Sequence, residues 1–457
     1  MNTPIADFVN HYARQEMSRF HMPGHKGAAF LGCETLDITE VKGADSLYEA
    51  DGIIAESEAN ATKIFHTGKT VYSTEGSSQC IRAMLYLAIL NWKGKNKAGK
   101  DKPVVVAARN VHKAFVYAAA LLDFDIVWLW PQGEMNSLCS CQISKEMVEE
   151  TLAALKNQGN IPAAVYLTSP DYLGQQQDIK GIAEICHKYD TILAVDNAHG
   201  AYLHFTEPRL HPMDLGADIC SDSAHKTLPV LTGGAYLQIG REAPEEFKKS
   251  AKSAMALFGS TSPSYLTMMS LDLCNKYLSE EFEERLKSVS ERIRSLGESL
   301  NQSGWRVTIS EPLKMTIEMP DGINGCDLAE YLRKNKIECE YADPDFIVFM
   351  FTTENTGEDF IKMKHAFEKK MMLDRKISYT GMKLLLPARC QQMMSPREAV
   401  FSRHEEIPVR DARGRICASP AVSCPPAIPI AVSGEEITEN AIALFEYYGI
   451  STVDVIV

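Results

Sequence analysis

Between residues 77 and 196 the sequence alternates short, continuous apolar runs with longer amphipathic stretches, and this alternation limits the fold more than any other feature. The apolar runs have the length and composition of buried strands and lie at 103–108, 126–130, 163–168 and 192–196. Stretches with helical periodicity precede or separate them, at 77–92, 112–122, 145–156 and 179–189. Apolar strands joined by helices are typical of a parallel sheet that is covered on both faces. The predicted fold class is therefore α/β, with a mostly parallel central sheet.

The sequence on either side of this region predicts further parts of the molecule. The first sixty residues lack a sustained period and contain the segment HMPGHKG, so we expect an arm that lies on another part of the protein. A charged, helix-like stretch at 280–300, followed by mixed strand and helix patterns up to residue 371, predicts a smaller α+β region. The expected division is an N-terminal arm over 1–60, a large domain over 61–270, a small α+β domain over 271–380 and a C-terminal tail domain over 381–457.

Length and composition set outer limits on function. With 457 residues the chain is too long for one hydrophobic core, and its 45% apolar and 23% charged residues are ordinary values for a globular protein. No apolar run approaches the roughly 20 residues that span a bilayer, and the amino terminus lacks a secretory or transit pattern. A formal net charge of −13 argues against a general affinity for nucleic acid or anionic membranes. We therefore expect a cytoplasmic protein with neither a nucleic-acid nor a membrane partner.

The cysteines point to the same compartment. Twelve of them are scattered along the chain, as expected for small buried thiols in a reducing environment. The nearest approach to a metal motif is the pair Cys139 and Cys141, which lacks a second pair at ligand spacing. The sequence therefore predicts no metal site.

The sharpest chemical signal is the segment SDSAHKTLPVLTGGAYL, residues 221–237, in which Lys226 follows an apolar strand and small hydroxyl residues. Schiff-base chemistry on a phosphorylated cofactor needs a lysine that is held close to a phosphate site. Ser221 and Ser223 can donate hydroxyl hydrogen bonds to a phosphate, and His225 offers a further donor. On spacing alone, a surface lysine beside a turn remains the simpler interpretation.

A second signal lies about thirty residues upstream, where the strand ILAVD ends at Asp196. A carboxylate at the end of a buried strand is costly unless it meets a positive partner. A protonated pyridine nitrogen is such a partner, and this pairing keeps the ring an effective electron sink. Asp196 alone is equally able to bind a metal or to cap a helix. Because ligands bind beyond the carboxyl ends of the strands in such sheets, the context of both Asp196 and Lys226 favours the chemical interpretation.

Two further segments add weaker signals of the same kind. EGSSQC opens the first helix of the sheet region, and backbone N–H groups there can form a phosphate cradle together with the hydroxyls of Ser77 and Ser78. A plain helix cap is the alternative. His112 follows the strand VVVAA at a place where an imidazole can stack on a planar cofactor, although a histidine at a helix start is otherwise unremarkable.

Together, in the order Ser-Ser, His, Asp and Lys, these signals resemble the aspartate-aminotransferase-like fold of pyridoxal-phosphate enzymes. More closely, the chain resembles the bacterial ornithine/lysine/arginine decarboxylase family. The resemblance runs from HMPGHKG through DITEVKGADSLYEADGII to AHKTLP and the tail GRICAS…CPPAIPIAVSGE, so it covers nearly the whole chain. It implies the short form of the family, without the receiver-like N-terminal wing domain of the long inducible enzymes.

The resemblance implies a role for each site residue. Lys226 would hold pyridoxal 5'-phosphate covalently, and Asp196 would pair with its pyridine nitrogen. His112 would stack on the ring, and His199 would lie near the phenolic oxygen. Proton transfer at the substrate Cα would fall to Lys226 or His225. The phosphate would be bound by Ser77, Ser78 and Ser223, with His225 adjoining.

The resemblance also implies an activity, the decarboxylation of arginine, lysine or ornithine to the corresponding amine and CO₂. This would be a step of polyamine biosynthesis, carried out by a homodimer or a higher homo-oligomer. Acidic residues such as Asp45 or Glu49, from the same or a neighbouring subunit, would hold the distal cationic group. An aminotransferase or a β-eliminating lyase, and a catalytically silent regulatory homologue, remain alternatives.

Several positions depart from the pattern of the family. Glu75 stands where Asn is common, Asp171 replaces Thr in PTY, and Asn197 replaces Glu after the strand-end aspartate. In the tail, CPPAIP replaces YPPGIP. None of these changes removes a core catalytic group, but their expected closeness to the pocket leaves the identity of the substrate open.

Overall fold

The computed structural model describes residues 1–95, 102–131, 137–373, 379, 388–420 and 428–457. The strands are β1 (Lys69–Ser73), β2 (Val104–Ala108), β3 (Asp125–Leu129), β4 (Ala164–Thr168), β5 (Ile192–Asp196), β6 (Ile219–Asp222), β7 (Ala235–Ile239), β8 (Arg306–Glu311), β9 (Lys314–Glu318), β10 (Tyr341–Ala342), β11 (Phe346–Met350), β12 (His404–Pro408) and β13 (Thr452–Ile456).

Helices alternate with the strands of the sheet region, as the apolar pattern predicts. They are α1 (Pro4–Arg14), α2 (Ile53–Ile64), α3 (Gly76–Lys95), α4 (Lys113–Leu122), α5 (Lys145–Asn157), α6 (Ile179–Lys188), α7 (Ala224–Thr227), α8 (Glu245–Ala256), α9 (Tyr265–Leu278), α10 (Phe282–Gln302), α11 (Gly325–Lys334), α12 (Gly357–Leu373), α13 (Pro396–Phe401) and α14 (Glu439–Tyr447). Within the described ranges, every helix is too short or too polar to cross a membrane.

The central sheet has seven strands in the order β1-β7-β6-β5-β4-β2-β3. β2 pairs in parallel with β3, and β5 pairs in parallel with β6, whereas β7 runs antiparallel to both β6 and β1. The predicted α/β class with a mostly parallel sheet is confirmed. β5 has the predicted bounds, and β2, β3 and β4 differ from the prediction by one residue at their ends.

The chain divides into two compact units. The first contains Met1–Asp101, Ile161–Tyr166 and Ile179–Arg285. In it α3 packs on β5, β6 and β7, and its core-facing side is lined by residues without measurable exposure such as Ile81, Met84 and Leu85. α8 packs on the same helix, so α3 lies between the sheet and an outer layer.

The N-terminal arm contains a helix that the sequence did not predict. α1 packs on α2 and α9 of the same unit, and its residues Ile5 and Val9 are fully buried. Oδ2 of the buried Asp272 accepts the N–H groups of Ile5 and Ala6 at 3.0 Å each, and Ser57 donates to Oδ1. Burial raises the pKa of Asp272 to about 6. The arm is therefore anchored within this unit by a carboxylate placed at a helix amino terminus.

The second unit contains Lys102–Asn160, Leu167–Asp178 and Leu286–Val457. It holds a four-stranded antiparallel sheet in the order β10-β11-β9-β8 and a two-stranded sheet of β12 and β13. Apolar residues of β9 and β11, such as Ile317 and Val348, are fully buried. The α+β pattern predicted after residue 280 is found here, while the four-domain division remains a prediction.

A buried ion pair joins distant segments of the second unit. Arg109, directly after β2, donates from Nη1 and Nη2 to the two carboxylate oxygens of Glu435 at 2.8 and 2.7 Å. Both residues are almost fully buried, and the guanidinium carbon lies 4.6 and 4.8 Å from the ring centroids of Trp128 and Trp130. The bidentate geometry and the cation–π contacts compensate for the loss of water around the charges.

We expect Glu435→Ala to destabilise the protein by about 3–5 kcal/mol, because it leaves the Arg109 guanidinium buried without its anion. The measurement is the free energy of unfolding in urea. Glu405→Ala is the matched control, since it breaks the exposed pair with Arg415 (2.9 Å) and is expected to cost less than about 1 kcal/mol. Equal losses in the two variants would show that the buried pair does not stabilise this unit.

Candidate active site

Two neighbouring parallel strands bring the main candidate residues to one edge of the sheet. β5 ends at Asp196, which lies opposite Ser221 in β6. Lys226 belongs to α7, which begins two residues after β6 ends. Because the two strands run in the same direction, α7 begins at the edge where Asp196 lies, and the charge of Lys226 acts on this carboxylate.

The carboxylate of Asp196 is buried and accepts three hydrogen bonds. The residue is 2% exposed. Its Oδ1 accepts from the N–H of Ala198 at 3.3 Å and the hydroxyl of Ser221 at 3.4 Å, and its Oδ2 accepts from the hydroxyl of Tyr166 at 3.2 Å. Burial raises the pKa of Asp196, while the charge of Lys226 and these hydrogen bonds lower it. The site thus holds a carboxylate ready to pair with a cation.

Lys226 lies beside a histidine as well as near the carboxylate. Its Nζ is 3.1 Å from Nε2 of the buried His199. Since a lysine ammonium has only donors, Nε2 of His199 accepts in this pair and the ring proton lies on Nδ1. His199 therefore offers an acceptor for the proton of the lysine.

His225 is oriented by the loop that follows it. Its Nδ1 lies 3.0 Å from the carbonyl oxygen of Gly234, so Nδ1 carries the proton that makes this hydrogen bond. Burial lowers the pKa of His225, which favours the neutral ring. A Cβ on Gly76, whose φ of +71° suits glycine, would lie 4.0 Å from Cε1 of His225. The ring thus lies beside the start of α3.

The surroundings of the α3 amino terminus contain the hydrogen-bond donors that an anionic group requires. The N–H of Gly76 donates to the carbonyl of Gly233 at 2.7 Å, which ties the start of α3 to the loop after Lys226. The following residues, Ser77 and Ser78, are half-buried at the helix amino terminus. Among the described side chains, the buried hydroxyls of Ser223 and Thr227 have no hydrogen-bond partner.

Comparison with known proteins gives the family. The family model of the Orn/Lys/Arg decarboxylase major domain matches residues 3–317. The family model of the Orn/Lys/Arg decarboxylase C-terminal domain matches residues 382–452. The chain belongs to the Orn/Lys/Arg decarboxylase family. It is therefore an amino-acid decarboxylase, and the resemblance stated from the sequence is confirmed.

Relatives and solved structures agree with this assignment. The arginine decarboxylase of Bacillus subtilis (strain 168) is 28% identical over 468 residues, which covers 96% of this chain and 92% of the relative. The arginine decarboxylase of Bacillus cereus is 26% identical and covers 94% of this chain and 96% of its own length. The lysine decarboxylase of Francisella novicida has a TM-score of 0.81 at 17% identity, covering 100% of this chain and 81% of that one.

The cofactor of this family is pyridoxal 5'-phosphate, and the described residues suit it. A phosphate ester needs several donors, and the first N–H groups of α3 and the partnerless Ser223 hydroxyl supply them. A pyridinium nitrogen needs a buried carboxylate, and Asp196 offers one. An aldehyde needs an amine, which Lys226 carries.

His112 lies in the second unit, at the N-cap of α4. Its Nδ1 accepts the N–H of Ala114 at 3.1 Å, so the cap fixes the orientation of the ring. The predicted helix start at residue 112 is thereby explained, because His112 caps the helix instead of belonging to it. Stacking of His112 on the cofactor remains a prediction.

The departures from the family pattern have structural partners in this chain. Nδ2 of Asn197 donates to Oδ1 of Asp222 at 2.7 Å, and a carboxylate oxygen of Glu75 accepts the N–H of Ser260. Oδ1 of Asp171 accepts the N–H groups of Leu173 and Gln175, and burial raises its pKa to about 6. The changed residues of CPPAIP lie outside the described residues.

The sequence missed a hydrogen-bonded network behind the site. Asp222, fully buried, accepts from His211, Asn197 and Gln238 at 2.7 to 3.2 Å. Asp222 immediately precedes Ser223, and Asn197 immediately follows Asp196, so the network ties together the two loops that carry site residues. Ligand atoms of His211, Cys220 and Asp222 lie within 4.8 Å of one another, but the carboxylate is already used by these donors. The position of Asp222 within SDSAHK was the available signal.

Lys226→Ala should abolish both turnover and the visible absorbance of the lysine-bound cofactor, because the amine that joins the aldehyde is gone. Equilibrium dialysis should still detect pyridoxal phosphate, since the phosphate and ring contacts remain. Lys248→Ala, at a lysine that pairs with Glu245 (3.2 Å) in the same unit, is the control that should keep the absorbance. Near-normal turnover of Lys226→Ala would mean that another residue holds the cofactor.

Proposed function

We propose that the chain decarboxylates a basic amino acid, namely arginine, lysine or ornithine, to the corresponding amine and CO₂. The observation that carries this proposal is the arrangement of Lys226 beside His199 and the buried carboxylate of Asp196, at one edge of the sheet. The names of the relatives that span most of the chain favour arginine as the best substrate.

Pyridoxal phosphate supplies an electron-accepting ring for the electrons released when CO₂ leaves. The role that we assign to Asp196 is to keep a positive charge on the pyridine nitrogen, since an anion in a poorly solvated place stabilises a nearby cation. The hydroxyls of Ser77, Ser78 and Ser223 and the start of α3 would bind the phosphate. These contacts would hold the cofactor by its phosphate and by its ring nitrogen, and Lys226 would supply the amine for its aldehyde.

Proton movements are assigned to Lys226, His199 and His225. A lysine has to lose a proton before its nitrogen becomes a nucleophile, and Nε2 of His199 lies 3.1 Å away as the acceptor. After CO₂ has left, Nζ of Lys226 can return a proton to the substrate Cα. His225 is the second candidate for this transfer, because the hydrogen bond of Nδ1 to Gly234 leaves Nε2 to take up a proton and pass it to Cα.

The distal cationic group of the substrate needs a carboxylate, and the structure argues against Asp45. The two oxygens of Asp45 accept the N–H groups of Ser46, Asp51, Gly52, Ile54 and Ala55 at 2.9 to 3.4 Å. That carboxylate shapes the loop before α2 and has little capacity left for a ligand. Glu49, which is exposed, remains our candidate.

Incubation with arginine, lysine and ornithine in turn is the direct test. We expect stoichiometric release of amine and CO₂ from at least one of them, with arginine fastest. Chromatography of the products and trapping of ¹⁴CO₂ are the measurements. A keto acid or free ammonia instead would favour an aminotransferase or a lyase, and cofactor binding without any product would favour a silent homologue.

We further propose that the protein is a homodimer in which the arm meets a second copy of the chain. The arm exposes large apolar side chains: Phe20 at 96%, Leu31 at 89% and Phe30 at 80%. A carboxylate of Glu34 accepts the N–H groups of Phe30, Leu31 and Gly32, so this turn presents the side chains in a fixed way. Apolar clusters of this kind mark interaction sites. Enzymes of this fold generally complete their sites at a subunit interface.

A cytoplasmic location and a role in polyamine biosynthesis complete the proposal. No disulfide joins any of the cysteines in the described part of the chain, which suits a reducing compartment. Diamines and agmatine-like amines are the products that the proposed reaction gives from basic amino acids.

Light scattering should give twice the mass of the chain, and the double variant Phe20→Ser, Leu31→Ser should shift the protein towards the monomer because the interface loses apolar area. Activity should fall in parallel at low protein concentration. Phe401→Ser, at a residue that is 64% exposed in the second unit, is the matched control. A wild-type monomer with full activity would contradict the proposal.

A further inference from the structure

The carboxylate of Asp196 has two oxygens in different surroundings. Oδ1 accepts from a backbone N–H and from the Ser221 hydroxyl at 3.3 and 3.4 Å. Oδ2 accepts from the hydroxyl of Tyr166 at 3.2 Å, the shortest of the three hydrogen bonds. The proposed function requires this carboxylate to stay ionised, although it is almost completely removed from water.

Tyr166 is suited to hold the charge on this carboxylate. It lies in β4 and is fully buried, in the same compact unit as Asp196. A phenol carries one proton with an ordinary pKa near 10, whereas an ionised carboxylate only accepts, so the hydrogen bond runs from Tyr166 to Asp196. Donation to the charged form of an acid favours that form. The phenol thus opposes the effect of burial.

A second contribution to the charge of Asp196 comes from Lys226, but this lysine changes its bonding during turnover. Tyr166 is neutral and is fixed in a strand, so its contribution stays constant while that of Lys226 varies. A preorganised donor in a poorly solvated place acts without having to reorient. This distinguishes Tyr166 from solvent, which can fulfil the same role only at an exposed carboxylate.

We propose that Tyr166 is a positioning residue that orients Asp196 through Oδ2 and keeps it ionised, so that Asp196 can hold the proton on the pyridine nitrogen. The proposal rests on the role of Asp196 in the proposed function and adds a residue that does not itself touch the reacting atoms. Ser221 supports the other oxygen of the same carboxylate more weakly, since its hydrogen bond is longer.

Tyr166→Phe removes one oxygen atom and keeps the ring that fills the core. The first readout needs no cofactor: in the apoprotein with labelled aspartate, the carboxyl titration of Asp196 followed by infrared or NMR spectroscopy should move about one pH unit upward, the size of one hydrogen bond to a charged group. In the loaded enzyme, kcat should fall by about tenfold while KM changes by less than about twofold. The absorbance of the bound cofactor should also titrate at a different pH.

Tyr236→Phe is the matched control. Tyr236 is equally buried in the same unit, but its hydroxyl donates to the amide oxygen of Asn275 at 3.3 Å. Tyr236→Phe should lower the free energy of unfolding by about as much as Tyr166→Phe does. It should leave the Asp196 titration and the cofactor spectrum as in the wild type. Identical titrations and spectra in the Tyr166 and Tyr236 variants would overturn the proposal, because a merely structural tyrosine would behave in that way.

Two further measurements keep the test decisive. Incorporation of 3-fluorotyrosine into the wild-type chain makes the phenol more acidic without removing a hydrogen bond, so the Asp196 titration should move to lower pH; an unchanged titration would count against Tyr166 even if Tyr166→Phe does not fold. Asp196→Asn tests the role of Asp196 separately from that of Tyr166. If Asp196→Asn leaves turnover and the cofactor spectrum unchanged, the assigned role of Asp196 is wrong. If Asp196→Asn changes them and Tyr166→Phe does not, only the role of Tyr166 is wrong.

Discussion

The burial of an acidic group at the end of β5 is the constraint on which the candidate site depends. Asp196 is the last residue of a strand that is buried along its whole length, so its charge has to be met by groups that the fold supplies. A neighbouring parallel strand provides Ser221, a buried tyrosine provides a phenol, and helix α7 provides a lysine. Each of these groups is brought there by the sheet, which explains why the chemistry lies at the strand ends.

The second unit also buries a charged group, the guanidinium of Arg109, but stabilises it by different partners. There a guanidinium is held by a bidentate carboxylate 326 residues away in the sequence and by two indole rings. Full ionic pairing suits a structural role, because the charges cancel permanently. At Asp196 the hydrogen-bond donors are two neutral hydroxyls and a backbone N–H, and Lys226 adds its charge without full ionic pairing, so the carboxylate keeps the capacity to meet a further cation. The choice of partners thus distinguishes a structural carboxylate from one that is available for chemistry.

The sequence predicted the parts of the molecule that depend on local pattern. β5 was found with its predicted bounds because Ile192–Val195 are apolar throughout and a turn precedes them. Helix α1 was missed although Ile5, Val9 and Tyr12 follow a helical spacing, because eleven residues in an otherwise aperiodic segment give only a short signal. Tyr166 and the pair of Arg109 with Glu435 were also missed, since their partners are distant in sequence and leave no local signal. Asp222 was missed although it directly precedes Ser223 in SDSAHK. The sequence suggested that Asp45 binds the substrate, and its hydrogen bonds to backbone N–H groups argue against that role. A sequence motif gives the residue type at a position but not the atoms that surround its side chain.

The anchoring of α1 by Asp272 has a consequence for how uniquely the amino-terminal segment can dock. The amino terminus of α1 stabilises the buried carboxylate, because two of its N–H groups donate to one oxygen. Sliding the helix by one residue along its axis would move these N–H groups about 1.5 Å and leave the acid facing bonded backbone. Apolar contacts of Ile5 and Val9 alone would allow several such alignments at similar energy. Asp272 therefore fixes the register of α1, because it favours one alignment among those that hydrophobic packing permits.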